Sequence, residues 1–66
     1  MKIKFPEITV DLSEMDGNAF SIIGRTSKAL RRGGVPKADI DAFIAEATDG
    51  DYDHLLQTVM ATVDTS

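Results

Sequence analysis

The chain predicts a small α+β domain: an N-terminal strand, then three short helices, with a short C-terminal segment as the candidate strand to pair with the first. Three observations carry this expectation. Apolar residues alternate near the N-terminus, and three later stretches repeat them at helical spacing. Two polar, glycine-containing segments, Asp16-Gly17-Asn18 and Asp49-Gly50-Asp51, stand directly before amphipathic runs.

Ile3 and Phe5 share one parity and Ile8, Val10 and Leu12 the other, so the strand signal changes phase at Pro6-Glu7. Proline cannot donate to a ladder, and a bulge or break is expected there. A lone strand leaves backbone groups unpaired, so it must pair with a partner chain or with a second strand. Ala61 to Thr65 is the candidate.

Asn18 is a good N-cap for a first helix over 18–32, with Ala19, Phe20, Ile23, Thr26, Ser27 and Leu30 on one face and Gly33 able to take a left-handed cap conformation. Pro36 suits the first position of a second helix, 36–48, in which Ile40, Phe43, Ile44 and Ala47 follow the i, i+3, i+4, i+7 rule. Asp51 caps a third, whose Tyr52, Leu55, Leu56, Val59, Met60 and Val63 form a stripe. Three stripes facing one another make the expected core.

A chain of 66 residues makes one domain, 1–66, close to the smallest size that buries enough apolar surface to fold alone. It has no cysteine, so neither disulfides nor thiolate metal sites reinforce it, and a homo-oligomer is the expected substitute. No apolar run approaches the roughly 20 residues of a membrane span. Glu7 and Asp11 interrupt what would be the apolar region of a secretion signal after Met1-Lys2-Ile3-Lys4. The expectation is a soluble, cytoplasmic protein.

Charge is unevenly placed. Residues 1–35 carry six Lys/Arg against four Asp/Glu, and residues 36–66 carry one against seven, for a net charge of −4. That balance argues against a general nucleic-acid binder, because phosphate affinity needs clustered positive charge. A local basic face is nonetheless present: Arg25, Lys28, Arg31 and Arg32 fall within about 120° of the first-helix wheel. Such a stripe is usually a solvated face. Beside it, the amides following Asn18 form a natural anion site at a helix N-terminus.

Asp49, Asp51 and Asp53 have the spacing of the first three ligands of an EF-hand loop, but His54 stands where that loop needs Gly and Met60 where it needs Glu. Helix capping by Asp51 and dipole stabilisation by Asp53 explain the cluster better, and no metal is expected. His54 projects with Gln57, Thr58 and Ala61, away from the apolar stripe, so it is either structural or, with Tyr52, part of a shallow site. No nucleophile finds a base by spacing, and Gly33-Gly34 closes a helix rather than opening a phosphate loop. Neither catalysis nor a cofactor is expected.

Asp16-Gly17-Asn18-Ala19-Phe20, Ala29-Leu30-Arg31-Arg32 with Gly34-Val35, Ile40-Asp41-Ala42-Phe43 with Glu46-Ala47, and Gly50-Asp51-Tyr52-Asp53-His54-Leu55-Leu56-Gln57-Thr58-Val59-Met60 together span about residues 16–60. In these the chain resembles a small family of uncharacterised phage and bacterial proteins, the Gly-Asp-Tyr-Asp-His-Leu-Leu segment being the specific part. Where that family ends in a Trp-Val or similar β-type segment, this chain has Ala61-Thr62-Val63. The resemblance implies a phage-type accessory protein and no particular activity.

The functional expectation is a non-enzymatic binding protein that sequesters an anionic, nucleotide-like ligand or inhibits a host protein. Asn18, Arg25, Lys28 and Arg32 would hold phosphate, Tyr52 would offer a stacking face, and His54 would stand beside it. The alternative is a nucleic-acid-associated module using the same basic stripe. A hydrolase built on His54 is the third class.

Overall fold

The computed structural model describes residues 2–12 and 18–65. Asp16 and Gly17, part of the first polar segment, lie outside the described residues. The elements are β1 (Phe5–Thr9), α1 (Ala19–Arg32), α2 (Lys37–Ala47), α3 (Tyr52–Thr62) and β2 (Val63–Asp64). The predicted strand and three helices are all present, and the C-terminal segment does form a strand that pairs with the first.

That pairing is parallel. Phe5 lies opposite Val63 and Thr9 opposite Asp64, so four steps along β1 match one along β2 and β1 bulges where Pro6 and Glu7 break the alternation. The Lys4 amide donates to the Ala61 carbonyl at 3.0 Å and the Val10 amide to the Asp64 carbonyl at 2.8 Å. Along its β2 edge β1 finds a partner within the chain, so the missing second strand no longer stands as a reason for self-association.

Ile8 and Val10 from β1 and Val63 from β2 join Ile22, Leu30, Ile40, Phe43, Leu55 and Val59 in one buried cluster. The predicted face of α2 is correct, with Ile40, Phe43 and Ala47 buried; its Pro36 is the N-cap rather than the first helical residue, its carbonyl accepting from the Asp39 and Ile40 amides. The face of α1 is rotated from the expected one. Phe20 is 87% exposed, whereas Ile22, which is not on the expected face, is 2% exposed. The buried line is Ile22, Thr26 and Leu30, each four residues from the next. The apolar flank of β1 lies on the Ile22 side, so α1 turns toward it and swings Phe20 out. In α3, Leu55, Val59 and Thr62 are buried, while Tyr52 and Met60, predicted on the stripe, are about half exposed.

Helix α1 ends in a Schellman arrangement. The Val35 amide donates to the Leu30 carbonyl at 3.1 Å and the Gly34 amide to the Arg31 carbonyl at 3.1 Å. The left-handed residue is Gly34, at φ +82°, and not Gly33, which stays right-handed at φ −78°. Thr26 brings a polar atom into the core: among the described residues its Oγ1 has no hydrogen-bond partner, unlike Thr58 and Thr62, whose hydroxyls donate to carbonyls one helical turn back.

In dilute solution, Leu55→Ala or Phe43→Ala should lower the unfolding free energy by about 2–5 kcal/mol, and Phe20→Ala should change it by less than about 0.5 kcal/mol. Denaturant titration reads both; equal losses at Leu55 and Phe20 would put α1 back in the sequence-predicted orientation. Thr26→Val, which removes the unpartnered hydroxyl and keeps the shape, should stabilise by roughly 1 kcal/mol.

Candidate functional site: a cationic groove between α1 and β1

The basic stripe does not lie on a featureless helix surface. Arg25, Lys28 and Arg32 form one wall of an open groove of about 600 Å³, with Gly24 and Ala29 flanking them and Thr9 and Val10 on the strand side. Rotation of α1 toward β1 creates this arrangement, since turning Ile22 and Ala29 inward sets the stripe against the strand. Arg25 and Arg32 are about 10 Å apart along the helix axis, with Lys28 between. Helix α1 contains no Asp or Glu. Among the described residues, no carboxylate pairs with any of these three cations; the direct ion pair of Lys37 with Asp41, at 3.2 Å, lies on α2.

Thr9 lines this groove from β1. In a parallel ladder the residue opposite its partner is bracketed by bonds from its neighbours, and here the Val10 amide makes such a bond to Asp64. The N–H and C=O of Thr9 therefore point away from β2. The groove thus combines three cations, an unpaired strand edge and a small apolar floor.

The other sequence-predicted residues lie elsewhere. Asn18 caps its own helix, its Oδ1 accepting from the Phe20 amide at 2.8 Å, and does not line the groove. Tyr52 lies on the opposite flank of α1, beside Phe20, Ile23 and Leu55. His54 faces a third surface with Lys4, Gln57 and Ala61. The structure therefore brings together Arg25, Lys28 and Arg32, and separates them from Asn18, Tyr52 and His54. Nor do Tyr52 and His54 share a site with each other.

The geometry of His54 accounts for the Gly-Asp-Tyr-Asp-His segment. Its Nε2 lies 2.8 Å from Glu46 Oε2 and 3.0 Å from the Glu46 carbonyl, bridging the end of α2 and the start of α3. To reach Glu46 the ring lies over Gly50, where a Cβ would come within 2.9 Å of the ring carbons. Asp51 caps α3 by accepting from the His54 amide at 2.9 Å, and Asp53 accepts from Gln57 Nε2 at 3.0 Å. Gly50, Asp51, Asp53 and His54 thus each have a structural task in the α2–α3 turn. Among the described residues, no group of three or more His, Cys, Asp or Glu is placed to hold a metal ion, and no helix is long and apolar enough to cross a membrane.

Sequence reasoning missed Thr9, Val10, Gly24 and Ala29, because helical spacing says nothing about which strand lies alongside. It also missed the His54–Glu46 contact, although a glycine four residues before a histidine at a helix start is the signal that could have found it. Fold and groove define a small α+β domain with a cationic helix–strand cleft. In comparison with known proteins, the chain matches no family, no curated protein and no solved structure.

Gly50→Ala should destabilise the wild-type protein by displacing the imidazole, but have much less effect in a His54→Ala background. Chemical unfolding of the double-mutant cycle would show this coupling, and additive losses would mean that Gly50 serves something other than the ring. Asp51→Ala should cost about 1 kcal/mol through the lost cap, and added calcium should leave the melting temperature unchanged.

Proposed function

We propose that this chain is a non-enzymatic binding protein of phage accessory type that works in the cytoplasm by sequestering a phosphate-bearing, nucleotide-like anion in the α1–β1 groove. The observation that carries the reading is the convergence of Arg25, Lys28 and Arg32 on one cleft, without a carboxylate partner among the described residues, in a chain of net charge −4. Three cations with no carboxylate partner among the described residues repel one another on one wall, and an anion between them relieves that repulsion. Arg25 and Arg32 supply planar forks for phosphate oxygens, and Lys28 supplies a point charge.

Gly24 adds support. A Cβ there would meet nothing within 4 Å, so packing does not require glycine. A helix-interior glycine costs roughly 1 kcal/mol relative to alanine. Its place in the groove wall lets a ligand approach the backbone closely. Tyr52 and His54 take no part in this reading: Tyr52 is on the far flank of α1, and the Nε2 of His54 is held by Glu46. Any base or sugar would rest on half-buried Ala29 and exposed Thr9. The engagement of this one histidine and the buried hydroxyls of Thr26 and Ser27 support a reading without catalysis.

A second reading, a nucleic-acid-associated module, draws on the openness of the groove and on exposed Arg31 as a fourth cation on the same helix. Salt separates the two: three phosphate contacts on a nucleic acid give a log–log salt slope of about −2 to −3, with little preference among sequences. A sequestering protein retains one small ligand stoichiometrically and releases it unchanged on denaturation.

Mass spectrometry of the natively purified protein should therefore find one phosphate-bearing small molecule, absent from a folded Arg25→Ala/Lys28→Ala variant. Arg25→Lys should keep part of the affinity. Gly24→Ala should raise stability by about 0.5–1 kcal/mol while weakening retention of the same molecule. Undiminished retention in the double variant would remove the groove from the site.

A further inference from the structure

The opposite flank of α1 carries a separate feature. Phe20, at 87% exposure, and Tyr52, at 45%, border a shallow apolar depression of about 270 Å³ between the first turns of α1 and the α2–α3 turn. Ile23, Ala47 and Leu55 contribute its apolar surface. Single exposed apolar side chains are ordinary, but a Phe and a Tyr continuous with an apolar depression mark an interaction surface. Asp51 lies on its rim, with exposed Asp49 and Asp53 beside it in the sequence.

Charge indicates the occupant. The rim is acidic, so a partner must bring cations next to an apolar contact. This chain has both on one helix: Phe20 and Arg31 fall within about 20° of one another on the wheel of α1, at 100° per residue, and α1 carries four cations and no acid. Phe20 and Arg31 are about 16 Å apart along the axis. Two α1 helices laid antiparallel across a two-fold axis therefore put the Arg31 end of each copy beside the Phe20 end and the acidic turn of the other. The same patch serves both copies, as an isologous contact requires.

We propose that this face, Phe20 and Tyr52 with Arg31 and the Asp49–Asp53 turn, is where two copies of the chain associate. The contact covers the apolar depression, pairs the basic helix of each copy with the acidic turn of the other, and leaves the α1–β1 groove open, roughly a third of a turn around the helix. It is independent of the ligand-binding reading, because it uses none of Arg25, Lys28 or Arg32.

Sedimentation equilibrium from micromolar to millimolar concentration tests it. The wild type should approach twice the chain mass, and Phe20→Lys should weaken association by about ten-fold or more with an unchanged circular-dichroism spectrum. Arg31→Glu should weaken it as well, and Asp49→Arg in the same chain should restore it by reversing both partners. A wild type that stays at the monomer mass throughout overturns the proposal and leaves the face to a different, basic partner. A dimer that survives Phe20→Lys, or one indifferent to the charge reversal, overturns the antiparallel packing.

Discussion

The fold depends on closing the first and last segments against each other. β2 is two residues long and β1 is bulged, yet their parallel pairing joins the ends of a chain whose middle is helical. A parallel connection needs a crossover, and here α1, α2 and α3 together supply it. Ile8, Val10 and Val63 then face inward as one apolar surface, on which the helices bury Ile22, Leu30, Phe43 and Val59. Without the bonds of Lys4 to Ala61 and Val10 to Asp64, that surface has no fixed position. The cationic groove follows from the same constraint, since α1 takes its rotation from the strand beside it.

Local features were legible in the sequence to the extent that their causes are local. Asn18 and Asp51 accept the amide bonds that their side chains predict, and the Pro6-Glu7 phase change appears as a bulge. The face of α2 was readable because Ile40, Phe43 and Ala47 leave no competing stripe. Helix α1 offers two, one through Phe20 and Ile23 and one through Ile22 and Ala29, and size favours the first. The choice is made by β1, some ten residues earlier in the chain, which no periodicity reports. The same reason hid Thr9 and Val10 from the candidate site while Arg25, Lys28 and Arg32 were visible as a stripe.

Residues of unusual type divided along similar lines. The Gly-Asp-Tyr-Asp-His segment looked chemical because it gathers acids, an aromatic ring and a histidine. In the structure it is a helix turn whose parts explain one another: Gly50 makes room, Asp51 caps, and His54 reaches back to Glu46. The unremarkable lysine and arginines of α1 instead line a cleft whose lining, among the described residues, contains no acid. Separation of charge between the halves of the chain is therefore spatial as well as sequential, with a basic first helix and an acidic α2–α3 turn.

If strand closure organises the molecule, its hydrogen bonds open only when the whole domain unfolds. Native-state amide exchange at Val10, whose N–H is bonded to Asp64, measures this directly. The Val10 amide should exchange with the free energy of global unfolding, matching core amides of α3 such as Val59. Exchange at Val10 as fast as in an unfolded chain, with α3 still protected, would show that the helices hold together without the strands and would contradict the account.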